Sequence, residues 1–279
     1  MFDENTAFVG SIPENYDRHL GPVALSPYAE DLAKRLTLGT EGSVLELACG
    51  TGILTRRLLD CLPPTVSILA TDLSDAMLNY AARKFFAQEN VQWKQADAHE
   101  LPFSDQSFDA VVCQFGVMFF PVKSKAFAEA YRVLKPGTVF LFNVWDAIEE
   151  NVLSHIAHTT ISDFFEDNPP DFYEIPFSFH DAETIKSLLM SAGFEDVKIE
   201  VVSLLAKAVS ARDVTKGLVY GNPVIAAIRE RDETRLPEIE AAIASEIVRR
   251  CGDEPVNART RALVCSAVKP ATKVGLTRS

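Results

Sequence analysis

Three acids and a pair of glycines are spaced so that this chain could hold a nucleoside-like ligand. The run Ser43-Val-Leu-Glu-Leu-Ala-Cys-Gly-Thr-Gly52 reads as a buried strand bearing the carboxylate of Glu46, followed by a turn of small residues. Gly50 and Gly52 permit backbone angles and close approaches that a side chain would obstruct. A helix starting near Ile53 would leave its first amides facing whatever rests on the turn. A second apolar run, Ser67-Ile-Leu-Ala-Thr-Asp-Leu-Ser74, ends in Asp72, twenty residues beyond Gly52, room for one helix and a return strand. A third, Val91-Gln-Trp-Lys-Gln-Ala-Asp-Ala98, ends in Asp97. The glycines alone would suit an ordinary strand–turn–helix joint. Three successive strand ends carrying Glu46, Asp72 and Asp97 instead gather acids at the carboxyl edge of a parallel sheet, the usual ligand crevice. A carboxylate there can accept both hydroxyls of a ribose.

The elements that must position these groups follow from the alternation of apolar runs. Strands are predicted at 43–48, 66–71, 91–96, 108–114 and 138–144, and helices at 53–61, 75–88 and 123–134. Lys135-Pro136-Gly137 should stop the last helix and lead into the next strand. That alternation argues a parallel sheet with right-handed crossovers. Residues 24–37 read as a helix covering the sheet edge, and 10–22, with Tyr16, Arg18 and His19, as a flap over the crevice. Residues 147–180 hold His155, His158, Tyr173, phenylalanines and prolines, and read as helix over 150–164 followed by loop. This stretch serves equally as an aromatic lid or as an insertion packed for stability. Asp181 to Ser191 reads as a helix capped near Asp181 and ended by Gly193, and Val197 to Lys207 as a strand. Helices at 211–219, 223–230 and 235–250 precede a last strand, Thr260 to Lys269, expected antiparallel to Val197–Lys207. The divisions are a flap at 1–38, a core at 39–146, an insertion or lid at 147–180, and the rest of the core at 181–279 with additional helices at about 210–250.

The chain has 279 residues, 47% hydrophobic and 24% charged, within the range of a soluble globular protein. A formal net charge of -12 disfavours DNA or RNA, which needs a basic footprint. Five cysteines, at 49, 61, 113, 251 and 265, show no paired metal-ligand spacing and fit reduced thiols. The start, Met1-Phe-Asp-Glu, has neither a basic stretch nor a long apolar segment, so no signal peptide is expected. No run reaches membrane-spanning length, and a cytoplasmic location is expected.

Five ordered motifs carry a resemblance: Val-Leu-Glu-Leu-Ala-Cys-Gly-Thr-Gly, Ala-Thr-Asp-Leu-Ser, Gln-Ala-Asp-Ala-His-Glu-Leu-Pro-Phe, Phe-Asp-Ala-Val-Val-Cys-Gln-Phe-Gly-Val-Met-Phe-Phe, and Arg-Val-Leu-Lys-Pro-Gly. Together they resemble class I S-adenosylmethionine-dependent methyltransferases, in particular the small-molecule type related to quinone-biosynthesis C-methyltransferases. The likeness is strong over about 40–145 and moderate over 10–38 and 180–207. It implies an α/β, Rossmann-like, mostly parallel seven-stranded sheet flanked by helices, with an antiparallel last strand. It also implies S-adenosyl-L-methionine as cofactor and S-adenosyl-L-homocysteine as product. Glu46 and the Ala48–Gly52 turn would border the methionine end, and Asp72 would hold the ribose hydroxyls with Leu73 against adenine. Asp97 would accept from the adenine amino group, with Ala98 beside the ring. Gln114 and Phe115 would line the methionine portion, and Tyr16 would close over it from the flap. Ala48 stands where the family often has glycine.

Methyl transfer from a sulfonium is a direct displacement, so alignment of donor and acceptor carries much of the rate. The acceptor, a small molecule methylated on carbon, oxygen or nitrogen, would meet Met118, Phe119, Trp145, Arg18 and His155. His19 is the candidate catalytic base, ahead of His155 and His158. His155 and His158 share a helix face without a further ligand nearby, so no metal is expected. A nicotinamide dehydrogenase is the alternative on such a sheet, but its G-x-G-x-x-G pattern fails at the third position, where either register meets Ile53 or Thr55. A cofactor-binding regulator without turnover is another alternative. The sequence fits a monomer or a homodimer.

Overall fold

In a computed structural model that describes residues 8–272, seven strands form one sheet in the order β3-β2-β1-β4-β5-β7-β6. They are β1 (Gly42–Glu46), β2 (Val66–Asp72), β3 (Val91–Gln95), β4 (Phe108–Gln114), β5 (Leu134–Trp145), β6 (Glu195–Ala208) and β7 (Val256–Val268). β1 to β5 run parallel, while β7 lies antiparallel between β5 and β6. The helices are α1 (Ile12–Asn15), a π-helix at Tyr16–Leu25, α2 (Ser26–Arg35), α3 (Ile53–Cys61), α4 (Asp75–Ala82), α5 (Lys123–Val133), α6 (Val152–Asp163), α7 (Glu174–Phe177), α8 (Ala182–Ser191), α9 (Ala211–Tyr220), α10 (Val224–Asp232) and α11 (Leu236–Cys251). Part of the expected flap, residues 1–7, lies outside the described residues.

β1 and β4 are central and covered on both faces, which is why Val44, Leu45, Ala110, Val111 and Val112 form apolar runs without alternation. β6 is an edge strand and alternates more openly, with Val201 and Leu205 exposed. Short side chains start three helices. Ser74 accepts from the Met77 amide at α4, Asp181 from Thr184 at α8, and Ser210 from Asp213 at α9.

The structure departs from the sequence reading at several places: β7 begins at Val256, four residues early, and α7 lies in the stretch read as loop. α2 lies on a face of the sheet rather than its edge. Its Ala29, Leu32 and Ala33 pack with α3 against Val44, Ile68, Ala110 and Val112. α4 ends at Ala82, six residues early, and Phe85 beyond it packs edge-on to Trp93 with ring centroids 4.9 Å apart. β5 begins at Leu134, because Leu134 already pairs with Phe108 before the register shifts and pairing resumes between Val139 and Ala110.

The π-helix of the flap is pressed against α9. A Cβ added at Gly217 would lie 2.8 Å from Leu20 Cδ2 and 2.9 Å from His19 Cβ, so only glycine admits this approach. Gly217→Val is therefore expected to lower stability by about 1–3 kcal/mol, the usual cost of overpacking. Urea unfolding measures it, and a variant as stable as the parent would show that the flap does not rest on α9.

Candidate functional site

Strand order reverses between β1 and β4, which opens a crevice at their carboxyl ends. Glu46, the last residue of β1, is buried there and accepts from Thr55 Oγ1 of α3 at 2.7 Å. Burial pushes its carboxyl up to about 8, aided by the charge of Asp72 and opposed by the Thr55 hydrogen bond. The turn that follows has left-handed backbone at Ala48 (φ +50°) and Gly50 (φ +54°). A Cβ added at Gly50 would meet nothing within 4 Å, so this turn faces open space. The Gly50 amide donates to Asp72 Oδ2 at 2.8 Å, and the Ser74 amide to Asp72 Oδ1 at 2.8 Å. Burial raises the Asp72 pKa despite these bonds.

Two cavities meet at this end of the sheet. The first is lined by Tyr16, Leu25, Glu46, Ala48, Gly50, Thr51 and Gln114, among others. Two buried oxygens, Thr51 Oγ1 and Gln114 Oε1, have no hydrogen-bond partner among the described residues. Buried polar atoms are nearly always paired, so this cavity suits a ligand with polar groups. The second cavity is aromatic. Phe8, Tyr16, Phe115, Phe119, Trp145, Phe172, Tyr173 and Phe177 line it, with Met118 and the amides Asn151 and Asn222. Phe115 stacks on Trp145 with centroids 3.7 Å apart and planes 11° apart. Phe8 stands edge-on to Tyr16, Phe119 and Phe172. Tyr16 and Leu25 belong to both walls. Among the described residues no Asp, Glu, His, Lys or Arg lines the aromatic cavity. Its two phenols are held protonated at neutral pH: burial, then Asp72 and Asp17, raises Tyr16, and burial raises Tyr173.

The structure thus gathers Tyr16, Glu46, Ala48, Gly50 and Gln114 around the polar cavity, and Phe115, Met118, Phe119 and Trp145 around the aromatic one. Gly52 caps α3, and Asp72 joins through its bond to Gly50. Leu73 is exposed beside Asp72, Ala98 is buried, and Asp97 lies two residues past the end of β3. His19, Arg18 and His155 line neither cavity. The sequence reading of His19 as base meets a different geometry. The ring is buried against α9, its Nδ1 3.1 Å from Asp213 Oδ1 without hydrogen-bond alignment. Arg18 is exposed on the outer side of the flap. Among the described residues no group of three or more His, Cys, Asp or Glu could hold a metal ion. Asn151, Phe177 and Asn222 were not foreseen individually, while Thr51 falls within the turn read as bordering the methionine end. Tyr173 and Phe177 sit in the aromatic-rich stretch that signalled a lid, whereas nothing near Asn222 in the sequence marks it.

These residues fit the sulfonium nucleoside that the motifs imply. Partnerless buried oxygens and a turn open at Gly50 suit its amino-acid end, and acids at successive strand ends suit its ribose and base. Residues 44–137 match a family model described as a methyltransferase domain. A ubiquinone/menaquinone biosynthesis C-methyltransferase, UbiE, from Ectopseudomonas mendocina is 33% identical over 205 residues, which span 67% of this chain and 79% of that protein. The UbiE of Citrobacter koseri is 32% identical over 186 residues, 60% of this chain and 73% of that one. Among solved structures, Haemonchus contortus phosphoethanolamine N-methyltransferase 2 in complex with S-adenosyl-L-methionine has a TM-score of 0.60 at 19% identity, covering 97% of this chain and 60% of that chain. At that identity the likeness speaks for the fold alone.

Glu46 ties stability to pH. Unfolded, its carboxyl loses its proton near the ordinary 4.5, whereas folded it keeps the proton to about 8. The folded state therefore binds more protons between those values, and the Glu46 contribution to stability falls as pH rises through that window. Glu46→Gln, which stays neutral, is expected to gain stability relative to the parent from pH 5 to pH 8.5. Urea unfolding at several pH values measures the difference, and a constant offset would show that Glu46 ionises normally.

Proposed function

Because the chain belongs to the class I S-adenosylmethionine-dependent methyltransferases, we propose that it methylates a ring carbon of a small, electron-rich aromatic acceptor held in the aromatic cavity. Its activity is in-line methyl transfer to a small molecule, with S-adenosyl-L-methionine as donor. When bound, this cofactor supplies an activated methyl group on a sulfonium. The residues of the chain hold and align: alignment is worth as much as ~7–11 kcal/mol in favourable cases. On this reading Asp72 accepts from the ribose hydroxyls and Asp97 from the adenine amino group, with Leu73 and Ala98 beside the ring. Glu46, Thr51 and Gln114 face the amino-acid end, and Tyr16 closes the flap over it. The aromatic walls disfavour water and suit a reaction in which positive charge disappears. Residues 8–25, ahead of α2, serve as flap and 147–180 as lid.

The observation that carries this reading is the shared wall. Tyr16 and Leu25 separate a polar cavity at the glycine turn from an aromatic one, so donor and acceptor would lie on either side of one boundary. The choice of carbon rests on the walls as well. Among the described residues no side chain there takes a proton near neutrality, so the acceptor must be nucleophilic as it arrives, and the proton displaced from its ring carbon after transfer passes to water. A flat hydroquinone-type ring meets that requirement and matches the chemistry named for the UbiE relatives.

Incubation with methyl-labelled S-adenosylmethionine and a panel of hydroquinones, simple phenols and aromatic amines tests it. A label on ring carbon, located by NMR, is expected; a label on oxygen or nitrogen would overturn the carbon assignment. For the donor side, Asp72→Asn is expected to weaken binding of S-adenosylmethionine by roughly 1.5–3 kcal/mol, the scale of hydrogen bonds to a charged group. Calorimetry on the folded variant reads this directly, and undiminished affinity would remove Asp72 from the donor site.

A further inference from the structure

His99, two residues beyond Asp97, has no role in the reading above, yet it joins two loops at the sheet end. Its side chain is 12% exposed, while that of Asp97 is 47% exposed. Asp97 Oδ1 accepts from the His99 amide at 2.8 Å and faces His99 Nδ1 at 2.6 Å. Across the ring, Nε2 accepts from the amide of Val122 at 3.3 Å. Val122 immediately precedes α5 and has no side-chain cap of its own. The imidazole also stands edge-on to Phe120, with centroids 5.8 Å apart.

These contacts fix the tautomer. In a neutral imidazole one nitrogen donates and the other accepts. Val122 supplies a donor to Nε2, so the proton sits on Nδ1 and points at Asp97. Oδ1 of Asp97 is thereby held by two donors, and Oδ2 has no partner among the described residues. Burial works against ionisation of Asp97, but the bonds from the His99 amide and ring, with the charge of Lys125, hold its pKa below the ordinary value. The carboxylate is ionised, clamped on one side and open on the other.

We propose that His99 is a positioning residue for cofactor selection. By holding Oδ1 of Asp97 it aims Oδ2 at the exocyclic amino group of a bound purine, so that the chain selects an adenine nucleoside over its 6-oxo counterpart. The inference rests on the reading of Asp97 as the adenine contact. A carboxylate oxygen can only accept, and a 6-oxo purine would set a second acceptor against it. An Asp97 free to rotate could turn away from that clash at little cost. Clamped by His99 it cannot, and preorganisation of this kind raises selectivity without adding a contact. His99 also fixes the end of the loop carrying Met118 and Phe119, so a purely structural role predicts a uniform loss of binding.

Calorimetry with S-adenosylhomocysteine and S-inosylhomocysteine, on the parent and on His99→Phe, His99→Asn and Asp97→Asn, separates these outcomes. The parent is expected to prefer the adenine ligand by about tenfold or more, the scale of one hydrogen bond to a charged group. His99→Phe keeps the ring beside Phe120 but offers no donor. It is expected to lower that preference about three- to tenfold, mainly by weakening S-adenosylhomocysteine. His99→Asn places an amide donor near the Nδ1 position and should retain the preference. If His99→Phe fails to fold, His99→Gln, which reaches toward Val122 but sets no donor at Nδ1, should show the same lowered preference. Equal weakening of both ligands by the Phe or Gln variant, or an undiminished preference, overturns the positioning role. A parent without preference, or an Asp97→Asn variant that keeps it, overturns the adenine reading of Asp97 itself. Loss of preference in Asp97→Asn with none in His99→Phe leaves that reading standing and removes only His99.

Discussion

The site depends on how closely the ends of β1 and β4 approach. A Cβ added at Gly116 would lie 2.5 Å from Ala48 Cβ and 2.7 Å from Cys113 Sγ, so the turn after one strand fills the space that a side chain after the other would need. Ala48 and Phe115, on either side of this contact, both take left-handed backbone at φ +50°. For residues other than glycine that costs on the order of 1–3 kcal/mol each. The surroundings hold them there. The Phe115 amide donates to Asn143 Oδ1 at 3.0 Å, its ring stacks on Trp145, and the Cys49 amide donates to the Thr71 carbonyl at 2.9 Å. The polar cavity lies beside this tight crossing, and its position follows from strand order together with one missing methyl group.

Electrostatics at the same point favours a particular kind of guest. Glu46 and Asp72 are both withdrawn from water, and the charge of Asp72 adds to what burial does in raising Glu46. Two such carboxyls close together resist full ionisation unless a cation joins them. A ligand bearing ammonium and sulfonium charge relieves that cost, while a neutral ligand of the same shape does not. Once a sulfonium becomes a thioether, part of this attraction is gone, which helps a product leave the cavity that held its precursor.

The glycine turn and the acids around the polar cavity were legible because their determinants are local. Glu46, Asp72 and Asp97 stand at the ends of apolar runs, and Gly50 and Gly52 interrupt a strand–helix joint within a few residues. The late helices and the antiparallel last strand were also readable from periodicity and caps, with α9 to α11 within two residues of expectation. What failed depends on contacts distant in sequence. The orientation of His19 is decided by α9, whose Gly217 admits the flap and whose Asp213 faces the imidazole. The π-helical form of Tyr16–Leu25 leaves no distinct period in an amphipathic pattern. The early start of β5 follows from its pairing with Phe108, which no local signal announces.

The walls of the aromatic cavity are harder to read for the same reason, and the late helices brace them. Tyr173 of the 147–180 stretch donates to the Leu218 carbonyl of α9 at 2.8 Å, and Asn222 Nδ2 donates to the same carbonyl at 3.1 Å. Arg235, just before α11, donates to the Phe164 carbonyl at 2.7 Å while its guanidinium lies 5.1 Å from the Phe164 ring centroid. Arg231 of α10 reaches the Asn168 carbonyl at 2.6 Å. Two successive helices and the turn before a third thus fasten one irregular, aromatic-rich stretch at separate points. A loop of that length would lose its shape on fluctuation if only its ends were held. Bonds to helix backbones and carbonyls instead make it a fixed wall. Binding an apolar ring needs such a wall, because contact energy of this kind vanishes over less than an ångström of slack. The helices after residue 210 therefore set the shape of the aromatic cavity, without supplying a charged group to it.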